Sequence, residues 1–288
     1  MEKAKVYFTK EITSQSLIRI YEALGTQLKA KVAVKISTGE PGGHNFLKPE
    51  LIAGLVSKLG GTIIECNTAY EGKRSDNESH WKAMKDHGFM DIAPCDLMDE
   101  EGEIALPVKG GKHLTENYVG KNIENYDSIL MLSHFKGHTM GGFGGALKNM
   151  SIGLASRNGK AYIHGAGDPA QIWTADHDSF LESMAEADRS VVDYMGREHL
   201  LYINVANRLS VDCDCDPNPE EPKMADIGIF ASIDPVAIDR ACVDAVYASE
   251  DPGKAAMIER IASRNGTLTI DTAERLGLGT QEYTLIEI

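Results

Sequence analysis

The sequence is poor in cysteine and contains no C-x-x-C pair. Its five cysteines are Cys66, Cys95, Cys213, Cys215 and Cys242. An odd and sparse count argues against a disulfide framework. Without C-x-x-C there is no ferredoxin-type cluster motif and no zinc ribbon. Long apolar runs are missing too. None approaches the roughly 18 residues that span a bilayer, and the start, M-E-K-A-K-V-Y-F-T-K, has no apolar core of a signal peptide. A cytoplasmic protein with no membrane partner is predicted. Basic residues are the scarcer charge: 29 against 43 acidic, for a net charge of −14. That balance excludes nucleic acid as a main partner, because nucleic-acid binding needs a basic face. It leaves room for a local basic pocket that takes a small anion.

What is present is ordinary for a soluble globular chain: 288 residues, 42% hydrophobic and 25% charged. The first third alternates strand and helix patterns. Strands are predicted at Lys5 to Thr9, Lys31 to Ile36 and Thr62 to Cys66. Helices are predicted at Ser14 to Leu24, at Pro49 to Leu59 with Pro in the first turn, and at Asp76 to His87. Residues 89 to 125 are less periodic and predict a β-hairpin or an irregular excursion. A buried strand is predicted at Ser128 to Leu132, a weak one at Ala161 to Ile163, then a helix at Phe180 to Tyr194. Strands at Leu200 to Val205 and Ile227 to Ala231, a helix at Pro235 to Val246, helices near 253–263 and 270–276 and a strand near 283–287 complete the chain. This order predicts an α/β fold: a mostly parallel sheet, helices on both faces, and the site at the carboxyl ends of the strands. It fits one domain over residues 1–288, or two α/β lobes of about 1–125 and 126–288.

The stretch S-H-F-K-G-H-T-M-G-G-F-G-G-A-L-K-N-M, residues 133 to 150, is where chemistry concentrates. It places His134 and His138 beside Lys136 and Lys148. Histidine suits both metal binding and proton transfer near neutral pH. Gly141, Gly142, Gly144 and Gly145 allow backbone N–H groups to approach a ligand or cofactor. Two known phosphate-binding motifs are absent. A Walker A loop needs Gly before its lysine and Ser or Thr after it, but Leu147 and Asn149 flank Lys148. The dinucleotide fingerprint needs Gly or Ala where Leu147 stands. Lys148 is placed to hold an anion or attack a carbonyl, with Asn149 beside it.

Three further segments are polar. V-D-C-D-C-D-P-N-P, residues 211 to 219, offers Cys213 and Cys215 as thiolate metal ligands, although its aspartates would raise the thiol pKa values. C-N-T-A-Y-E-G-K-R, residues 66 to 74, and K-I-S-T-G-E-P-G-G, residues 35 to 43, follow strands. In a parallel sheet they share one edge with the histidine loop. S-I-D-P-V-A-I-D-R-A-C, residues 232 to 242, is explained by helix capping alone.

These segments, with L-S-H-F-K-G-H, G-G-A-L-K-N-M-S-I-G-L-A-S-R-N-G-K, D-I-G-I-F-A-S-I-D-P-V-A-I-D and the ending A-E-R-L-G-L-G-T-Q-E-Y-T-L-I-E-I, resemble the uncharacterised iron–sulfur-centre protein family, domain of unknown function 362. The resemblance covers nearly the whole chain. Longer relatives carry a ferredoxin-like insert after the region of His164. Here the chain runs from His164 through Asp168 and Trp173 straight to Phe180, so no ferredoxin cysteines remain. His138, Lys148 and His164, spaced by ten and sixteen, are also similar to the cofactor loop of nickel-pincer lactate racemase. That similarity implies Lys148 as anchor of a modified nicotinic acid, His164 as metal ligand and His138 as acid–base. The racemase loop reads G-G-R-K, whereas Gly144-Gly145-Ala146-Leu147-Lys148 has one residue more.

The expectation is an uncharacterised metal-dependent enzyme acting on a small anionic substrate by redox or proton-transfer chemistry. His138 and Lys148 would be catalytic. Metal ligands would come from His134, His138, His164, Cys213 and Cys215, with Fe, Ni or Zn as the ion. The alternative is a non-catalytic metal or iron–sulfur cluster carrier that works with a ferredoxin-like redox partner. A third reading is a scaffold that has lost its cluster module.

Overall fold

The computed structural model describes residues 3–288. The chain opens with β1 (Ala4–Thr9), α1 (Ser14–Ala23), β2 (Val32–Lys35), α2 (Pro49–Leu59), β3 (Thr62–Glu65) and α3 (Asn77–Asp86). Local chemistry sets these boundaries. The Thr13 side chain accepts from the N–H of Ser16 ahead of α1, and that of Asp76 from the N–H of Ser79 ahead of α3. Gly60, left-handed at φ 57°, ends α2. The less periodic stretch holds a short strand, β4 (Cys95–Leu97), and a hairpin of β5 (Glu103–Pro107) with β6 (Glu116–Gly120).

The central strand β7 (Ser128–His134) is buried at all seven positions. It runs two residues past the predicted end and delivers His134 to the sheet edge. The glycine-rich stretch is not a plain loop. It forms a second hairpin, β8 (Lys136–His138) with β9 (Gly142–Gly144), and then starts α4 (Ala146–Leu154). The strand expected at Ala161 to Ile163 is instead the end of α5 (Arg157–His164). Ser156 caps this helix by accepting the Gly159 N–H, and the turn buries Gly159, Lys160 and Ile163 together. A three-residue apolar window cannot display that helical spacing. Next come α6 (His177–Met195), β10 (Leu200–Ala206), β11 (Gly228–Ser232), α7 (Pro235–Ala248), α8 (Lys254–Ser263), α9 (Leu268–Arg275) and β12 (Tyr283–Glu287).

Eight strands make one sheet in the order β12-β1-β11-β10-β7-β2-β3-β4. Only β11 runs antiparallel to its neighbours; the other pairings are parallel. Strands from both halves of the sequence interleave, since β1 lies between β11 and β12 and β2 pairs with β7. The alternation of β7 divides the core. Ile129 and Met131 face the layer of α4, α6 and α7, whereas Leu130 and Leu132 face that of α1 and α2. The protein is therefore α/β, with helices on both faces of a mostly parallel sheet. Among the described residues no helix is long and apolar enough to cross a membrane.

Candidate functional site

The carboxyl ends of β2, β3, β7 and β10 open toward one side, where ligands bind in open α/β sheets. Two close approaches build the site there. At Gly137 the strand β8 lies on the backbone of Val211. A Cβ at Gly137 would stand 2.4 Å from the Val211 carbonyl oxygen, and the Gly137 N–H donates to the Ser210 carbonyl at 2.8 Å. This contact brings Cys213 to His138. At Gly145 the carboxylate of Asp239, from α7, reaches the start of α4. It accepts from the N–H groups of Ala146 (2.7 Å) and Leu147 (3.0 Å), with Asn204 donating to it at 2.7 Å. A Cβ at Gly145 would meet Asp239 Oδ1 at 2.3 Å. Asp239 thus caps α4 from another helix and sets the direction of Lys148. Asn149 Nδ2 donates to the Lys35 carbonyl (3.0 Å) and to Ser133 Oγ (3.1 Å), tying α4 to β2 and β7.

Between these elements lies a cavity of about 260 Å³. Lys35, Arg74, Lys136, Lys148 and Lys160 all line it. Their counter-charges are fewer. Glu65 takes Lys35 at 2.9 Å and Arg74 at 3.3 Å, and Arg74 also pairs with Glu40 at 3.0 Å. Asp214 takes both His134 at 2.9 Å and Lys136 at 3.0 Å. Burial alone would raise the Glu65 carboxyl, but Lys35 and Arg74 hold it well below the usual range. Asp214 is lowered in the same way by His134 and Lys136. Lys160 donates only to backbone carbonyls, those of Ala155 (2.6 Å) and Cys66 (3.4 Å), and its burial lowers its pKa. Lys148 has no carboxylate partner among the described residues. It lies against Gly144 beside Lys136.

At one end of the cavity His138, Cys213 and Cys215 place their donor atoms within 4.8 Å of one another. Cys215 beside it, with Lys148 and His138 nearby, pulls Cys213 well below an ordinary thiol, and Cys213 in turn pushes Cys215 up. His138 Nδ1 accepts from the N–H groups of Gly141 (2.8 Å) and Met140 (3.2 Å). The ring hydrogen therefore sits on Nε2. Burial, then Lys148, lowers its pKa to about 4. His164 has the opposite tautomer. Its Nδ1–H donates to the Lys160 carbonyl at 2.7 Å, so Nε2 keeps a lone pair. The ring stacks on Phe180 and is lowered to about 3, chiefly by burial.

The residues expected from sequence fall into three groups. His138, Lys148, Asn149, Gly144, Gly145, His164, Cys213 and Cys215 all line the cavity. Gly141 and Gly142 do not. They turn the β8–β9 hairpin, and Gly142 packs on Gly266 of the α8–α9 connection. His134 lines the cavity, but both of its ring nitrogens are occupied, Nδ1 by Asp214 and Nε2 by the Asn207 carbonyl at 2.6 Å. No lone pair remains for a metal, so the geometry makes it one side of an ion pair. Sequence reasoning missed Lys35, Glu65 and Lys160. The first two had a legible signal: opposite charges closing neighbouring apolar strands, V-A-V-K and T-I-I-E. Lys160 had none, because it lies just ahead of the short segment, Ala161 to Ile163, that read as a weak strand.

The family described as domain of unknown function DUF362 matches residues 32–244, and the chain belongs to it. No curated protein matches the sequence. Among solved structures, the lactate racemase apoprotein from Thermoanaerobacterium thermosaccharolyticum is similar, with TM-score 0.48 and 12% identity over 83% of this chain. A protein from Thermotoga maritima matches with TM-score 0.46 and 13% identity over 88%. The chain covers 56% and 58% of those two chains, a little over half of each.

Proposed function

We propose that this protein is a metal-dependent enzyme acting on a small anionic substrate held in the cavity. The observation that supports it most is a combination. A two-sulfur, one-nitrogen donor cluster shares its cavity with Lys148 and Lys160, which have no carboxylate partner among the described residues, inside a chain of net charge −14. Soft thiolates and imidazole suit zinc, iron or nickel. The spacing of His138, Cys213 and Cys215 fits one ion. Loading it requires the Cys215 thiol to lose its proton and the His138 hydrogen to move from Nε2 to Nδ1, at the expense of the two backbone bonds that Nδ1 accepts, so uptake should release a proton and weaken as pH falls. A metal held by His138, Cys213 and Cys215 would supply Lewis acidity in the cavity.

The chain's own residues supply the rest. Lys148 and Lys160 bind the anion. Lys148 is oriented by the capped start of α4. His164 presents a neutral imidazole whose Nε2 lone pair is free for proton transfer, because Nδ1–H is fixed on a carbonyl. Phe180 under the ring keeps it in place.

The test is elemental analysis of anaerobically purified protein. Near-stoichiometric metal is expected in the wild type, and loss of it in Cys213→Ser/Cys215→Ser. Lys148→Ala should keep the metal and lose affinity for phosphate or carboxylate anions. A wild type that takes up no zinc, iron or nickel when these are supplied would remove the metal from this reading.

A further inference from the structure

The floor of the cavity is cationic, but its rim is not. Met140, Ile152, Ile172 and Trp173 all line the cavity. Ile152 is buried, Met140 and Ile172 are half-buried, and Trp173 is 67% exposed. Single exposed apolar side chains are common on protein surfaces and need no account. Trp173 differs because it stands with Met140 and Ile172 on the rim of the charged cavity. Its segment is also fixed. Asp168 accepts from the Ala170 N–H at 3.0 Å, and the N–H groups of Thr174 and Ala175 both donate to the Gln171 carbonyl at 2.9 Å. The indole is presented by a tied turn, which lowers the entropic cost of using it.

The space is also larger than a bare inorganic anion needs. One water requires about 10–15 Å³ of such volume, and the cavity offers about 260 Å³. Ligand pockets usually pair a mostly apolar wall with a few polar groups that fix orientation. Here the two are separated, with cations below and an apolar rim above.

From this we infer that the substrate is an organic anion with a flat apolar body, whose charged group lies at Lys148 and Lys160 and whose body lies on Trp173. This rests on the reading of the cavity as an anion site and names the substrate class. It makes Trp173 a specificity-determining residue. An inorganic anion, or an acetate-sized one, would reach the lysines and leave the indole uncovered.

Calorimetric titration of the protein as isolated with benzoate, acetate and inorganic phosphate tests it. Stacking on an indole should give benzoate an advantage over acetate of about three- to tenfold. Trp173→Ala should remove that advantage and leave acetate affinity unchanged, while Trp173→Phe should keep most of it. Trp173 is largely exposed, so neither variant should disturb the fold. Equal affinity for benzoate and acetate, phosphate binding as tightly as benzoate, or an advantage that survives Trp173→Ala would overturn the inference and leave the anion site standing. If none of the three binds and Lys148→Ala changes nothing, the anion site itself falls, and this inference with it.

Discussion

At the scale of single residues, the site depends on a few buried carboxylates that each hold more than one cation. Asp214 is the clearest, with His134 at 2.9 Å and Lys136 at 3.0 Å and almost no solvent on any of the three. Removing one member of a buried ion set leaves uncompensated charge, which costs about 3–5 kcal/mol. Asp214→Asn keeps the shape but not the charge. It should lower unfolding stability in urea by that order, and a change below about 0.5 kcal/mol, the level of an ordinary surface substitution, would show that the trio does not hold the Cys213 loop. The trio also shows what the sequence could disclose. His134 and Lys136 stand out in S-H-F-K-G-H, so their presence at the sheet edge was legible. Their role was not, because Asp214 lies some eighty residues away and only the fold makes it their partner.

At the scale of elements, helices were the more legible, since capping residues and a 3.6-residue period mark them. Pro49–Leu59 lies where it was predicted. The glycine-rich segment was legible as a site but not as a structure. Glycine carries no periodicity, and the β8–β9 hairpin is fixed by distant backbone, Val211 on one strand and Gly266 on the other. The start of α4 depends on a distant residue in the same way, through Asp239. Gly145→Ala should force the Asp239 carboxylate and the helix start apart and cost about 1–3 kcal/mol. It should also weaken binding of benzoate or phosphate through displacement of Lys148. The double variant Gly145→Ala/Asp239→Ala relieves the clash, so its destabilisation should be smaller than the sum of the two single ones. Strict additivity in thermal denaturation would mean that Gly145 and Asp239 do not meet as described.

At the scale of the whole molecule, one sheet carries strands from both halves of the chain, so unfolding should be a single cooperative event whose pH dependence sums over the buried groups. His80, His138 and His164 are held down to about 3, 4 and 3, each chiefly by burial. At pH 7 they are neutral folded or unfolded and contribute nothing. Below the ordinary value of 6.5 the unfolded chain takes up their protons and the fold does not, so stability is lost as pH falls. Each contributes about 1.4 kcal/mol per pH unit. Two carboxyls act in the opposite sense. Burial raises Asp239 to about 6 and Asp188 well above its usual 3.8, so above about pH 4 the fold keeps protons on these carboxyls that the unfolded chain has released. His87 is lowered and Asp234 raised by burial as well, so four lowered imidazoles stand against three raised carboxyls, which leaves the unfolded chain ahead by about one proton between pH 6 and 4. Metal-free protein should therefore lose about 1.4 kcal/mol per unit between pH 6 and 4. The loss should steepen below about pH 4.5, where Glu65 and Asp214, both held low by their cations, begin to be protonated on unfolding. Urea midpoints at pH 7, 6, 5 and 4 measure this directly. A midpoint that stays flat or rises from pH 6 to 4 would mean that the buried carboxyls at least balance the histidines, and would overturn the predicted net loss.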